Sequence, residues 1–102
     1  GFEAHAYQAA KAGVIMLTKT VAVHYAKQNI RCNCIRPAGV VTPPIANMVK
    51  DPQIKAWFEG VHPMGRLGQP AEVAEATVYF VSEESGWTTG SILSVDGGVT
   101  AA

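Results

Sequence analysis

Tyr7 and Lys11 stand four residues apart in an alanine-rich stretch that reads as helix. One helical turn makes them neighbours, ~5–6 Å apart between Cβ atoms. An ammonium ~5 Å from a phenolate, at an effective dielectric of ~20, favours the ionised ring by on the order of 3 kcal/mol. Such a phenol can pass a proton to or from an alcohol or ketone oxygen near neutral pH. Alone, the Tyr-x-x-x-Lys spacing is a weak signal, because a tyrosine at a helix start beside a solvated lysine has the same spacing. Six residues precede Tyr7, and the first is Gly1 rather than an initiator Met. The expectation is a chain that begins within an active site, with part of its machinery missing.

A second cluster lies at Asn33-Cys34-Ile35-Arg36-Pro37-Ala38-Gly39-Val40-Val41-Thr42-Pro43. It closes a strand-like run, and in open α/β sheets ligands bind beyond the carboxyl ends of strands. A Pro-x-Gly turn there exposes backbone groups to a planar ring. Ile45, Met48, Trp57 and Phe58 either line a substrate pocket or pack a lid against the core. Arg66 reads as a turn stabiliser or an anion binder. His5, His24 and His62 have no metal-site spacing and read as non-catalytic. Cys32 and Cys34 fall on one face of a strand, and read as two buried thiols in a reducing, cytoplasmic setting.

The elements that must position these groups follow from periodicity. Residues 6–27 read as one helix, with Ala10, Val14, Leu17, Val21 and Tyr25 as its apolar stripe and Asn29 as its stop. Gly13 within it marks either a close helix approach or a tolerated surface glycine. Ile30–Arg36 alternates as a strand that Pro37-Ala38-Gly39 ends. The 43–69 connection is too long for an idle loop. Within it Asp51 can cap a short helix with Pro52 in its first turn, striped by Ile54, Trp57, Phe58 and Val61. A helix over 70–82 starts at Pro70 with Glu72 in its first turn and an apolar face of Val73, Thr77, Phe80 and Val81. Residues 86–90 form a turn, and 91–96 a last short strand. Two strands joined by a helical crossover make a parallel pair, and a two-stranded sheet is marginal alone. The chain therefore reads as part of a larger doubly wound sheet.

The 102 residues carry 8 basic and 8 acidic side chains, a net charge of zero. That argues against nucleic-acid or membrane-surface partners, which need a basic face. With 48% hydrophobic and 16% charged residues the composition is globular. No apolar run approaches the ~20 residues that span a bilayer.

Taken together, Tyr7-x-x-x-Lys11, the Asn33–Pro43 run, Pro63-Met64-Gly65-Arg66-Leu67-Gly68-Gln69-Pro70, Phe80-Val81-Ser82, Thr89-Gly90 and Val95-Asp96-Gly97-Gly98 resemble the short-chain dehydrogenase/reductase family. The resemblance covers nearly the whole chain, Tyr7 to Gly98, and matches the C-terminal half of a member. It implies an α/β fold: residues 1–102 as the C-terminal half of one doubly wound, Rossmann-like domain, its last two strands with covering helices. It implies an oxidoreductase that moves a hydride between NAD or NADP and the carbonyl or alcohol carbon of a small substrate. By the family's pattern Tyr7 is the acid/base, and Lys11 eases its ionisation and holds the nicotinamide ribose. Pro37, Ala38, Gly39, Val40 and Thr42 face the nicotinamide, with the Val40 backbone on the carboxamide. The 43–69 connection, with Ile45, Met48, Trp57 and Phe58, resembles the mobile substrate lid, and Asp96-Gly97-Gly98 the end of the last strand near a subunit interface. A homo-oligomer, dimer or tetramer, is implied. The family has Pro-Gly where this chain has Pro37-Ala38, with Gly39 one place later. Its Gly-rich phosphate loop, ribose selector, Asn and active-site Ser all precede the tyrosine and are not in this chain. The chain alone is therefore expected to be inactive. One chain of a split reductase and a non-catalytic oligomerisation module are the alternatives, and 3-oxoacyl carrier protein reduction the alternative chemistry.

Overall fold

The computed structural model describes residues 2–101. Helix α1 spans Phe2–Tyr25, starting before the expected residue 6 because Glu3 and Ala4, both good helix formers, precede it. A 3-10 turn, Ala26–Gln28, tightens its end, and Asn29 stops it at φ 60°, its N–H donating to Ala26 O. A short polar side chain tolerates that left-handed conformation better than most.

The buried face of α1 differs from the expected stripe. Thr18 and Ala22 are buried, whereas Val14 and Leu17 are 54% and 61% exposed. The reason lies far along the chain. A Cβ on Gly90 would stand 3.4 Å from Ala22 Cβ, so the helix packs on the 86–90 turn through its small residues and leaves its bulky ones outside. Thr18 donates to Val14 O at 2.7 Å, which satisfies its buried hydroxyl. At Gly13 an added methyl would meet nothing within 4 Å, so no close approach occupies it among the described residues.

Strand β1 is Cys34–Pro37, and the expected strand from Ile30 is corrected. Asn33 sets the onset. Its side chain accepts from Ser91 N and donates to Thr88 O, both at 3.0 Å. Cys32 likewise meets the Thr89 hydroxyl and Gly90 N. At residue 33 a side chain thus stands in for backbone pairing, between the Gly90 N–H on Cys32 O at 2.7 Å and Cys34 N on Ser91 O at 2.9 Å. Arg31 donates to Ser85 Oγ at 2.8 Å and to the carbonyls of Thr88 and Ser82 at 3.3 Å. Cys32 and Cys34 form no disulfide among the described residues and are half-buried rather than buried.

Helix α2, Pro43–Met48, follows Thr42, with both prolines in its first turn. Helix α3, Pro52–Val61, is capped as expected: Asp51 Oδ1 accepts from Gln53 N at 2.9 Å, and Pro52 opens the first turn. Helix α4, Pro70–Val81, starts at its proline. Glu72 reaches back to Gln69 N at 3.0 Å, half of a capping box. Of its expected face, Val73 and Phe80 are half-buried, Thr77 is exposed, and Val81 is 76% exposed. Strand β2, Ile92–Val95, pairs with β1 in a two-stranded parallel sheet. The chain divides into two compact units, Gly1–Cys34 with Ser82–Leu93, and Ile35–Val81 with Ser94–Ala102. No helix among the described residues is long and apolar enough to cross a membrane.

Candidate active site

In the first unit the Tyr–Lys pair sits one turn apart on α1, as helical geometry dictates. Lys11 Nζ lies over the Tyr7 ring, 5.1 Å from its centroid. A cation there is attracted by the ring's negative face, worth about 0.5–1 kcal/mol at an exposed site. Tyr7 is 62% exposed, so its hydroxyl has open access from outside the unit.

In the second unit the 37–42 loop is held through its own backbone groups. Gly68 N donates to Gly39 O and Val41 N to Gly68 O, both at 2.9 Å, which makes a one-residue parallel bridge between Val40 and Gly68. Gly39 N donates to His62 Nε2 at 3.1 Å, and Thr42 N to Val40 O at 2.8 Å. Among the described residues no hydrogen bond takes the Val40 N–H. A Cβ on Gly39 would stand 2.6 Å from Leu67 Cδ2 and 2.8 Å from His62 Cε1, so glycine belongs at 39 while alanine is accommodated at 38. A cavity of about 330 Å³ in this unit is lined in part by Gly39, Val40 and Gly68.

The same unit carries the residues assigned to a lid. Trp57 and Phe58 meet edge to face, 5.2 Å between centroids, with Trp57 63% exposed. Met48 is exposed and Ile45 half-buried. Arg66 bonds both carboxylate oxygens of Glu72, at 2.8 and 3.0 Å, and also donates to Leu67 O. That makes it a turn stabiliser rather than a free anion binder. The Arg66 hydrogen bond, then the Gln69 N–H, hold the Glu72 carboxyl down at about 2. The Thr100 hydroxyl, then Gly98 N–H, likewise keep Asp96 below the usual carboxylate range. Among the described residues no three His, Cys, Asp or Glu side chains gather as a metal site.

Two features escaped the sequence reading. The Arg31 and Asn33 side chains staple the 82–91 segment, and His62, 5% exposed, is tied at both ring nitrogens. The only local hint for His62 is its place four residues after Phe58, at a helix end.

Comparison with known proteins gives one consistent picture. The family described as Enoyl-(Acyl carrier protein) reductase matches residues 2–100. A 3beta-hydroxysteroid dehydrogenase 1 from Eggerthella lenta is 46% identical over 94 residues, 92% of this chain and 36% of that protein. The structure of an oxidoreductase of the short chain dehydrogenase/reductase family from Burkholderia thailandensis superposes with a TM-score of 0.88 at 34% identity, over 95% of this chain and 38% of that one. A 4-hydroxyisoleucine dehydrogenase mutant complexed with NADH and succinate superposes at 0.89 and 31% identity, over 96% and 40%. The chain thus spans well under half the length of each of these three proteins.

Proposed function

The chain belongs to the short-chain dehydrogenase/reductase family and has the fold of part of its Rossmann-like domain, and we propose that it carries the proton-transfer pair and the nicotinamide-facing loop of an NAD(P)-dependent oxidoreductase acting on a small alcohol or ketone. The observation that carries this is the Tyr7–Lys11 pair, an ammonium 5.1 Å from an accessible phenol ring. Tyr7 Oη exchanges a proton with the substrate oxygen. The Lys11 ammonium, over the face of the Tyr7 ring, holds the cofactor's ribose. A bound NAD or NADP supplies or accepts the hydride. Pro37, Ala38, Gly39, Val40 and Thr42 present backbone to the nicotinamide end. The Val40 N–H, with no partner among the described residues, is the donor left over for a carboxamide. Ile45, Met48, Trp57 and Phe58 cover the substrate. The enzyme works in the cytoplasm as a dimer or tetramer.

The test is Tyr7→Phe in the enzyme carrying the full family domain. The ring stays and the proton goes, so turnover should fall by roughly 10²–10⁴ with little change in cofactor affinity. Equal turnover refutes the acid/base role. A non-catalytic assembly module has one observation in its favour, the exposed Val14, Met16 and Leu17 on α1; unchanged turnover would leave that reading standing. A split reductase is decided by the coding sequence upstream of Gly1, where a Gly-rich phosphate loop in frame removes it. Reduction of a 3-oxoacyl group on a carrier protein is the alternative substrate class, supported by 41% identity over 93 residues to a 3-oxoacyl-[acyl-carrier-protein] reductase of Chlamydia trachomatis, and assay with a 3-oxoacyl carrier substrate tests it.

A further inference from the structure

We propose that His62 is a positioning residue that couples the end of α3 to the nicotinamide-facing loop, an inference that rests on the function proposed above. Gly39 N–H can only donate, so His62 Nε2, 3.1 Å away, must accept. The ring's single proton is then on Nδ1, which donates to Phe58 O at 2.6 Å. One neutral tautomer is thereby selected, with both nitrogens satisfied in a side chain 5% exposed. The ring lies between two glycines. A Cβ on Gly39 would fall 2.8 Å from its Cε1, and one on Gly97 3.7 Å from its Cδ2. A side chain at Gly39 would displace the ring, so the glycine there is what lets the imidazole stand against the loop.

The two partners of this imidazole belong to the two halves of the proposed chemistry. Phe58 is in the helix assigned to the substrate, and Gly39 is in the loop assigned to the nicotinamide. Gly39 is fixed at its carbonyl by Gly68 N and, among the described residues, at its amide by His62 alone. Without His62 the Gly39 N–H loses its buried partner, a cost that drives the loop toward other conformations. When the binding-competent loop is only a fraction of the population, the apparent dissociation constant rises by the inverse of that fraction.

The experiment uses three variants of the enzyme carrying the full family domain: His62→Leu, His62→Gln and His62→Asn. Cofactor affinity is read by fluorescence titration with whichever of NADH and NADPH binds the parent more tightly. His62→Leu should weaken binding on the order of ten-fold, with the kinetic loss in KM for cofactor rather than in kcat. Gln places an amide oxygen near the position of Nε2 and should restore most of the affinity, while Asn is too short and should not. Parent-like affinity in the Leu variant overturns the proposal. Equal weakening in all three also overturns it, since that marks simple packing. Long-range ¹H–¹⁵N spectra of the parent need no variant to fold, and should show His62 as the Nδ1–H tautomer; the Nε2–H tautomer overturns the proposal. Tyr7→Phe runs alongside. If it keeps full turnover while the His62 series behaves as described, the acid/base reading fails and the loop coupling stands.

Discussion

Glu72 binds Arg66 through both carboxylate oxygens and the Gln69 N–H through one. These bonds are much stronger to the ionised carboxyl, which is why it is lowered from 4.5 to about 2. The sign follows from linkage. A carboxyl more acidic in the folded state stabilises the fold fully above its ordinary value, and that contribution fades as pH drops from about 4.5 toward 2. Urea unfolding of the parent and Glu72→Gln should differ by a constant amount above pH ~5, and the two should converge as pH falls below 4.5. A gap that widens on acidification contradicts the assignment. Residue-scale chemistry was only half visible in the sequence. Tyr7 and Lys11 are legible because their relation is a single helical turn. His62 was not, because its partner Gly39 lies 23 residues away and no local pattern encodes that bond.

At the scale of elements, local signals served well wherever a cap is local. Asp51 before Pro52, Glu72 after Pro70, and Asn29 after α1 all act within four residues of themselves. Asp51→Ala should cost α3 about 1 kcal/mol, read as faster amide exchange at Gln53 and Lys55; unchanged exchange there removes the cap from the account. The misreadings are equally physical. Helix α2 was not anticipated in the 43–69 connection, yet Pro43 and Pro44 fit its first turn, where no N–H is required. Strand β1 begins late because the Asn33 side chain occupies partners from Thr88 and Ser91, far along the chain. The apolar stripe of α1 was placed by periodicity, but its buried face was chosen by Gly90, a residue with no side chain to announce itself.

For the whole molecule, exposure is the decisive quantity. The chain presents 7351 Å² of accessible surface, against about 5,500 Å² for a folded monomer of its mass. Ala22 is the one fully buried apolar residue among those described, while Met16, Leu17, Val78, Val81 and Trp87 are each more than half exposed. Apolar surface of this kind marks interaction sites or aggregation. The chain by itself should therefore self-associate or melt without a sharp transition, as judged by size-exclusion chromatography with light scattering and by calorimetry. A sharply melting monomer of 10.8 kDa would count against it. NADH titrated into the 102-residue chain should give no saturable micromolar fluorescence change, because the chain has no glycine-rich turn to hold the phosphates.

The contact between Ala22 and Gly90 acts as the fulcrum of a lever. Tyr7 lies 15 residues up the same helix from Ala22, about 22 Å at 1.5 Å per residue. A tilt of about 5° at that point swings the phenol by about 2 Å, and displacements near 1 Å already cost on the order of a hundred-fold in rate. Ala22→Val adds two methyl groups where a missing side chain leaves no slack. It should cost about 1–3 kcal/mol of stability and, in an enzyme carrying the full domain, lower kcat out of proportion to that loss. Ala22→Gly, which adds no bulk, should spare kcat at a comparable loss of stability. Under the proposed function, the position of the Tyr7 phenol thus depends on the smallness of two residues, Ala22 and Gly90, that meet far along the helix from it.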